Sequence, residues 1–283
     1  IGDMAWLSGD IRCRGFMFGA TAGRTTLNGE GFQHEDGHSH LMAATVPSCV
    51  SYEPAFGYEL TAIICDGIKR MYQDGEDIFY YITLQNEDYA HPALPSEELI
   101  PGILNGLYKF QPGPEGLRHK AHLLGSGSIL QSALKAQAIL ASEFNVSADV
   151  WSATSYSRLR REALAAQRWN MLHPSESPRR SHLESVLEGE KGPFLAVSDN
   201  MKLVPDQIAP WVPGGLTTLG TDGYGRSDTR QRLRRFFGID AESTVIATLG
   251  ALARRGKIPS KTVTDAIRTL GVDPESPGAV SAI

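Results

Sequence analysis

Ile78-Phe79-Tyr80-Tyr81-Ile82-Thr83-Leu84 is the stretch on which the fold turns. A compact run of β-branched and aromatic side chains is the pattern of a strand covered on both faces, as in a parallel sheet. Upstream, the spacing of Phe56, Leu60, Ile63, Ile64, Ile68 and Met71 predicts a helix. Ser51 is its expected N-cap, Glu53 complements its dipole, Pro54 falls in the first turn and Gly75 ends it. A helix that leads into a doubly covered strand is the repeating unit of an α/β layer fold.

The same alternation extends in both directions. Ile1, Met4, Ala5, Ser8 and Ile11 fall on one face at helical spacing, Gly15 closes that helix, and Phe16 to Ala20 reads as a short buried strand. These opening residues have the texture of a structural element, so the chain is expected to be the latter part of a longer one. Between Asn86 and Gly116, five prolines and several glycines make a connector, interrupted by a strand-like piece from Gly106 to Phe110. The boundary near Gly113 divides the chain into residues 1–112 and 113–283. Beyond it, Ala121–Leu124, Ala148–Ala153, Phe194–Ser198 and Leu216–Leu219 read as strands, and Ile129–Phe144, Val245–Leu252 and Thr262–Leu270 as apolar or helical elements. The expected architecture is two α/β modules.

Composition narrows the function classes. The 283 residues carry 27 Lys and Arg against 32 Asp and Glu, a net charge of −5 that argues against a nucleic-acid partner. Cys13, Cys49 and Cys65 form neither a CxxC pair nor an even set, so reduced thiols in a cytoplasmic protein are expected. Apolar stretches such as Leu60–Ile64 and Val245–Leu252 fall far short of the ~20 residues that cross a bilayer, and no membrane role is expected.

The sharpest local signal is His34-Glu35-Asp36-Gly37-His38-Ser39-His40, at the end of a glycine-rich loop that starts at Thr21. Three imidazoles and two carboxylates in so short a loop suggest proton transfer or ligation, the alternative being a polar surface loop whose histidines are satisfied by neighbours and water. His34-Glu35-x-x-His38 also matches the zinc-hydrolase pattern, with Glu59 or His40 as a third ligand, but that chemistry needs a helix and Asp36-Gly37 is a poor helix former. Gly125-Ser126-Gly127-Ser128 has the strand-to-helix context of a dinucleotide site, yet Leu130 stands at the third glycine position, and a tight turn with Ser128 as helix cap is the simpler reading. Arg226, Arg230, Arg232, Arg234 and Arg235, between Asp228 and Gly238, read as a solvated helix whose dipole is complemented.

Several segments carry a family resemblance. Gly23-Arg24-Thr25-Thr26-Leu27-Asn28-Gly29-Glu30-Gly31-Phe32-Gln33-His34-Glu35-Asp36-Gly37-His38-Ser39-His40 closely resembles the homodimeric decarboxylating first component of bacterial pyruvate dehydrogenase complexes. Tyr80–Thr83, Leu124–Leu130, Arg168–Pro174 and Leu219–Asp228 resemble it as well. The resemblance implies a partial thiamine-diphosphate-binding middle domain of pyrimidine type, followed by a transketolase C-terminal-like α/β domain. It further implies thiamine diphosphate and Mg2+ as cofactors, and decarboxylation of pyruvate with transfer of the acetyl unit to lipoyl groups of the dihydrolipoyl acetyltransferase component. A second copy of the subunit is implied as partner. The family holds the diphosphate and metal with a Gly-Asp-Gly motif, whereas here Glu35, Cys65, Gln73 or Thr221 precedes each Asp-Gly pair, so those ligands are expected elsewhere and the chain alone is expected to be inactive. Carried over by position, Glu30, His34 and His40 are the catalytic candidates: the imidazoles bind the substrate carboxylate or carbonyl or move protons, and Glu30 tunes a histidine. The alternative from another class is a non-catalytic dimerisation or assembly module.

Overall fold

The computed structural model describes residues 2–27, 31, 34–276 and 278. The first unit opens with α1 (Gly2–Asp10), β1 (Phe16–Ala20), α2 (Ser39–Thr45) and β2 (Cys49–Tyr52), and continues through α3 (Gly57–Ile68) to β3 (Phe79–Leu84). Its three strands are all parallel in the order β1-β3-β2. The central strand is β3, in which Tyr80 and Ile82 are wholly buried. Tyr80 and Ile82 point to the α3 side, where Ile63 and Met71 meet them; Phe79 and Tyr81 face Ala43 and Val46 of the α2 region, the alternation that a pleated strand imposes.

After α4 (Ile100–Asn105) the second unit builds a five-stranded sheet in the order β4-β6-β5-β7-β8. Its strands are β4 (Tyr108–Gln111), β5 (His119–Gly125), β6 (Val146–Ser152), β7 (Phe194–Val197) and β8 (Leu216–Leu219). Only β4 runs antiparallel, against β6, and it lies before Gly113 in the chain. Helices cover both faces. On one, Leu123, Val150 and Leu195 pack with α5 (Leu130–Phe144), α9 (Arg230–Phe237), α10 (Ala241–Arg254) and α11 (Ser260–Thr269). On the other, Leu124, Trp151 and Phe194 pack with α6 (Tyr156–Leu172), α7 (His182–Val186) and α8 (Leu203–Asp206). Arg230–Arg254 is apolar and long enough to cross a bilayer, but Gly238 at φ +67° breaks it into α9 and α10, and half of its apolar window is buried.

Three local expectations are corrected. Ser51 does not cap a helix: it lies buried in β2, and α3 starts only at Gly57. Pro54 biases Glu53 toward extended backbone, so the chain leaves β2 straight and turns afterwards. The Glu59 carboxylate then caps α3 by accepting the N–H of Phe56 at 3.1 Å, and that of Ala55. Helix α1 buries none of its residues, and Met4 and Ile11 are exposed; its inner side is made by Ala5 and Gly9, small enough to approach the α2–β2 junction. Strand β1, read as buried, is a sheet edge with Met17 and Phe18 exposed.

Candidate functional site

The parallel strands of the two sheets point their carboxyl ends at each other, and the polar residues that follow those ends meet there. From the first sheet come the loop after β1, Glu53 after β2 and Gln85 after β3; from the second come Ser126 after β5, Asp199 and Asn200 after β7, and Thr221 after β8. Such a crevice is where open α/β sheets bind ligands.

Glu53 is the buried centre of this junction. Its two oxygens each accept a bond from Asn200 Nδ2 at 2.9 Å, and Oε1 accepts another from Gln85 Nε2 at 3.1 Å. Burial pushes its carboxyl up to about 7, opposed by the Ser126 and Asn200 side chains and reinforced by the charge of Asp199. Asp199 is wholly buried as well; burial raises it to about 7, with Arg234 opposing. Sequence reading assigned Glu53 to a helix dipole and passed over Asp199. The available signal was position, since Glu53 directly follows β2 and Asp199 lies two residues past the end of β7.

The histidines of the glycine-rich loop separate by environment. His34 sits exposed in a turn and His38 is exposed, whereas His40 is buried in the first turn of α2. His40 Nε2 lies 2.9 Å from Thr83 Oγ1, its ring meets Tyr81 edge-on, and it lines a void of about 10 Å3 beside Glu53. Burial lowers its pKa to about 4 despite Asp36 nearby, so the ring is neutral at pH 7 and serves as a hydrogen-bonding group. Glu30 lies outside the described residues. Asp36 caps α2, its Oδ1 accepting the N–H of His38 and of Ser39 at 3.0 Å, and residues 34–38 form no helix. The geometry that a zinc-hydrolase motif needs is therefore not formed. Glu59, the imagined third ligand, is committed to Tyr108 and Ser152 at 2.6 and 2.7 Å as well as to its helix cap.

The Gly125–Ser128 turn is filled from within. Gln85 Oε1 accepts the N–H of Ser128, a Cβ on Gly127 would lie 2.5 Å from that oxygen, and Gly125 lies against the backbone of Leu130. Ser128 is not a side-chain cap, and no opening remains there for a pyrophosphate. The arginine helix is not merely solvated either. Arg230 donates to Thr26 O at 2.9 Å and to Asn86 O, and Arg234 forks onto Glu87 while reaching Thr25 Oγ1 at 3.3 Å.

Residues 1–92 match the family model of the pyruvate dehydrogenase E1 component middle domain, and residues 106–240 match that of the transketolase-like C-terminal domain. The chain is 50% identical to the pyruvate dehydrogenase E1 component of Pseudomonas aeruginosa over 97% of its own length and 31% of the relative's. Nearly the whole chain is thus similar to pyruvate dehydrogenase E1 components. That of Escherichia coli is 48% identical over 96% of this chain and 31% of its own length, so the chain spans about a third of the curated relatives it matches. Solved transketolases share the fold: that of Leishmania mexicana has a TM-score of 0.63 at 15% identity, covering 89% of this chain and 32% of the other, and that of Campylobacter jejuni has 0.63 at 17%, covering 88% and 33%.

Among the described residues one group of clustered donors has the residue types of a metal site, and its surroundings do not fit a metal ion. His122, Asp149 and Glu190 bring ligand atoms within 4.8 Å of one another, but Lys109 Nζ sits 2.9 Å from Asp149 and 2.6 Å from Glu190, and Lys120 also pairs with Asp149. His122 is used up too: Trp151 Nε1 donates to its Nδ1 at 3.3 Å, which leaves Nε2 to donate to Lys191 O at 3.1 Å. Two ammonium groups already occupy the place of a cation.

Proposed function

We propose that this chain is the substrate-facing and C-terminal part of the decarboxylating component of a pyruvate dehydrogenase complex. The complete protein, with thiamine diphosphate and Mg2+ held by residues outside this chain, converts pyruvate, a proton and an oxidised lipoyl disulfide into carbon dioxide and an S-acetyl dihydrolipoyl group. The lipoyl group belongs to the dihydrolipoyl acetyltransferase component, and a second copy of the subunit completes the assembly. The observation that carries this reading is the similarity to the named E1 components along nearly the whole chain, joined to a loop that leaves His34 exposed at the meeting point of two sheet ends.

Within it, His34 binds the pyruvate carboxylate or carbonyl oxygen, and Glu30, carried over from the family motif, tunes a histidine. His40, neutral and buried, hydrogen-bonds Thr83 and supports the start of α2. In the full-length enzyme carrying this chain, His34→Ala is expected to lower kcat/KM for pyruvate by about 100-fold or more, the usual range for a lost hydrogen-bond donor to a developing oxyanion. Unchanged turnover in that variant would remove His34 from the chemistry. The isolated chain, supplied with thiamine diphosphate and Mg2+, is expected to release no carbon dioxide from pyruvate; turnover by it would overturn the division of labour.

A second reading, a non-catalytic assembly module, draws on the exposed Met4, Trp6, Ile11 and Phe18 of α1, its following turn and β1. It predicts normal turnover in His34→Ala together with concentration-dependent self-association in sedimentation velocity.

A further inference from the structure

The loop that carries His34 is bound mainly to the other unit. Towards its own sheet, Ala22 N–H donates to Leu84 O. From Gly23 onward the partners change. Arg24 Nη1 donates to Gly223 O at 2.5 Å and to Thr221 O. Thr25 gives both its N–H and its hydroxyl to Asp199 Oδ2, at 3.3 and 2.9 Å. Thr26 O accepts from Arg230 Nε, and Thr25 Oγ1 accepts from Arg234 Nε. The Glu35 carboxylate, one residue beyond His34, accepts Arg226 N–H at 2.8 Å, and Gly37 O accepts Met201 N–H at 2.8 Å. Two glycines show how close the approach is: a Cβ on Gly23 would lie 2.4 Å from Asp199, and one on Gly225 would lie 2.6 Å from Glu35 and 2.7 Å from Gly31 O.

Every one of these partners follows a strand of the second sheet or lies in or just ahead of α9. Arg234 is itself held in place, since its guanidinium fork on Glu87 leaves it only 11% exposed. A bidentate pair of this kind fixes both the position and the direction of the remaining Nε–H.

We propose that Asp199, Arg230 and Arg234 are positioning residues for the pyruvate reaction: the transketolase-like unit, without touching substrate, sets the place of His34 by holding the loop on both sides of it. The proposal rests on the reading of His34 as a substrate-facing group and adds what determines its position. A displacement of about 1 Å in a reacting group can cost about 100-fold in rate, so contacts this far from the chemistry can control it.

The test uses the full-length enzyme carrying this chain, with Asp199→Ala, Arg230→Ala and Arg234→Ala, the conservative Asp199→Asn and Arg234→Lys, and His34→Ala alone and combined with Arg234→Ala. Amide exchange of residues 23–37 is expected to rise by about 10-fold or more in the alanine variants, with exchange in β5, β6 and β7 unchanged and smaller effects in Asp199→Asn and Arg234→Lys. The kcat/KM for pyruvate is expected to fall by about 10- to 100-fold in Arg234→Ala on the wild-type background and by less than about 2-fold on the His34→Ala background, the mark of two residues acting as one unit. Unchanged exchange of the loop in all three alanine variants overturns the proposal, as does an Arg234→Ala loss of equal size on both backgrounds. Should His34→Ala turn over normally while loop exchange still rises, the role given to His34 fails and the holding of the loop stands. If Asp199→Ala or Arg234→Ala does not fold, its conservative partner supplies the same exchange and kinetic comparison.

Discussion

Glu53 and His40 share the lining of one small void and carry opposite electrostatic biases. A carboxyl raised from 4.5 to about 7 keeps its proton in the fold at pH values where the unfolded chain has lost it, so its contribution to stability falls as pH rises from about 4.5 to 7. Asp199 acts in the same direction over a similar window. His40, lowered from 6.5 to about 4, acts the other way: the unfolded chain takes up a proton that the fold refuses, so this term favours the fold increasingly up to about 6.5. The three partly cancel, and a difference measurement isolates one of them. Glu53 faces Asp199, Asp36, Asn200, Gln85 and Ser126. Urea titrations from pH 4.5 to 7 should show the stability of Glu53→Gln rising relative to wild type by about 1.4 kcal/mol per pH unit, one proton's worth of linkage. A difference independent of pH would mean that Glu53 titrates as it does in the unfolded chain. None of this was legible locally. The burial of Glu53, Asp199 and His40 comes from elements up to 174 residues away.

At the scale of elements, local pattern carried most of the weight. The runs at 78–84, 121–124, 148–153, 194–198 and 216–219 all lie in or overlap strands, and 129–144, 245–252 and 262–270 in helical segments, because each has an apolar period that only one backbone geometry can bury. The failures share one cause. At Ser51–Phe56, propensity for an N-cap competed with the extended bias before Pro54 and with pairing to β3, and the long-range pairing won. In α1 the larger apolar residues suggested the buried face, but close approach to the α2–β2 junction selected Ala5 and Gly9 instead. The β5–α5 turn offers a direct check of such long-range control. Gly127 has φ +50° and no room for a Cβ beside Gln85, so Gly127→Ala should cost about 1–3 kcal/mol in chemical denaturation. Gln85→Ala, which leaves Glu53 and the Ser128 N–H each short of a partner, should cost a similar amount. The double variant should lose at least about 0.5 kcal/mol less than the sum, because removing Gln85 makes room for the new methyl group. Strict additivity would show that Gln85 does not fill the turn.

The whole molecule depends on the two units sharing buried groups across their junction. Arg161 of α6 donates to Val46 O and Cys49 O at 2.7 Å and to Ala44 O at 3.2 Å, so a guanidinium from the second unit satisfies carbonyls at the end of α2 and the start of β2. Arg161→Leu should destabilise the protein by about 2–4 kcal/mol, since buried carbonyls lose a charged donor. Calorimetry should then resolve two transitions where the wild type shows one; a single unshifted transition would mean that the units are coupled elsewhere. The amino-acid sequence by itself determined the α/β class, most of the elements and, through the Gly23–His40 and Leu219–Asp228 motifs, the family resemblance, because periodicity, turn chemistry and motifs act over a few residues. Only the tertiary structure decided which histidine is exposed and which is neutral and buried, that Gln85 fills the glycine turn, that lysines occupy the one group of clustered metal-type donors among the described residues, and that Arg230 and Arg234 leave solvent to hold a loop in the other unit. Those outcomes depend on desolvation and on charges meeting across the junction of two sheets, quantities that no short window of sequence contains.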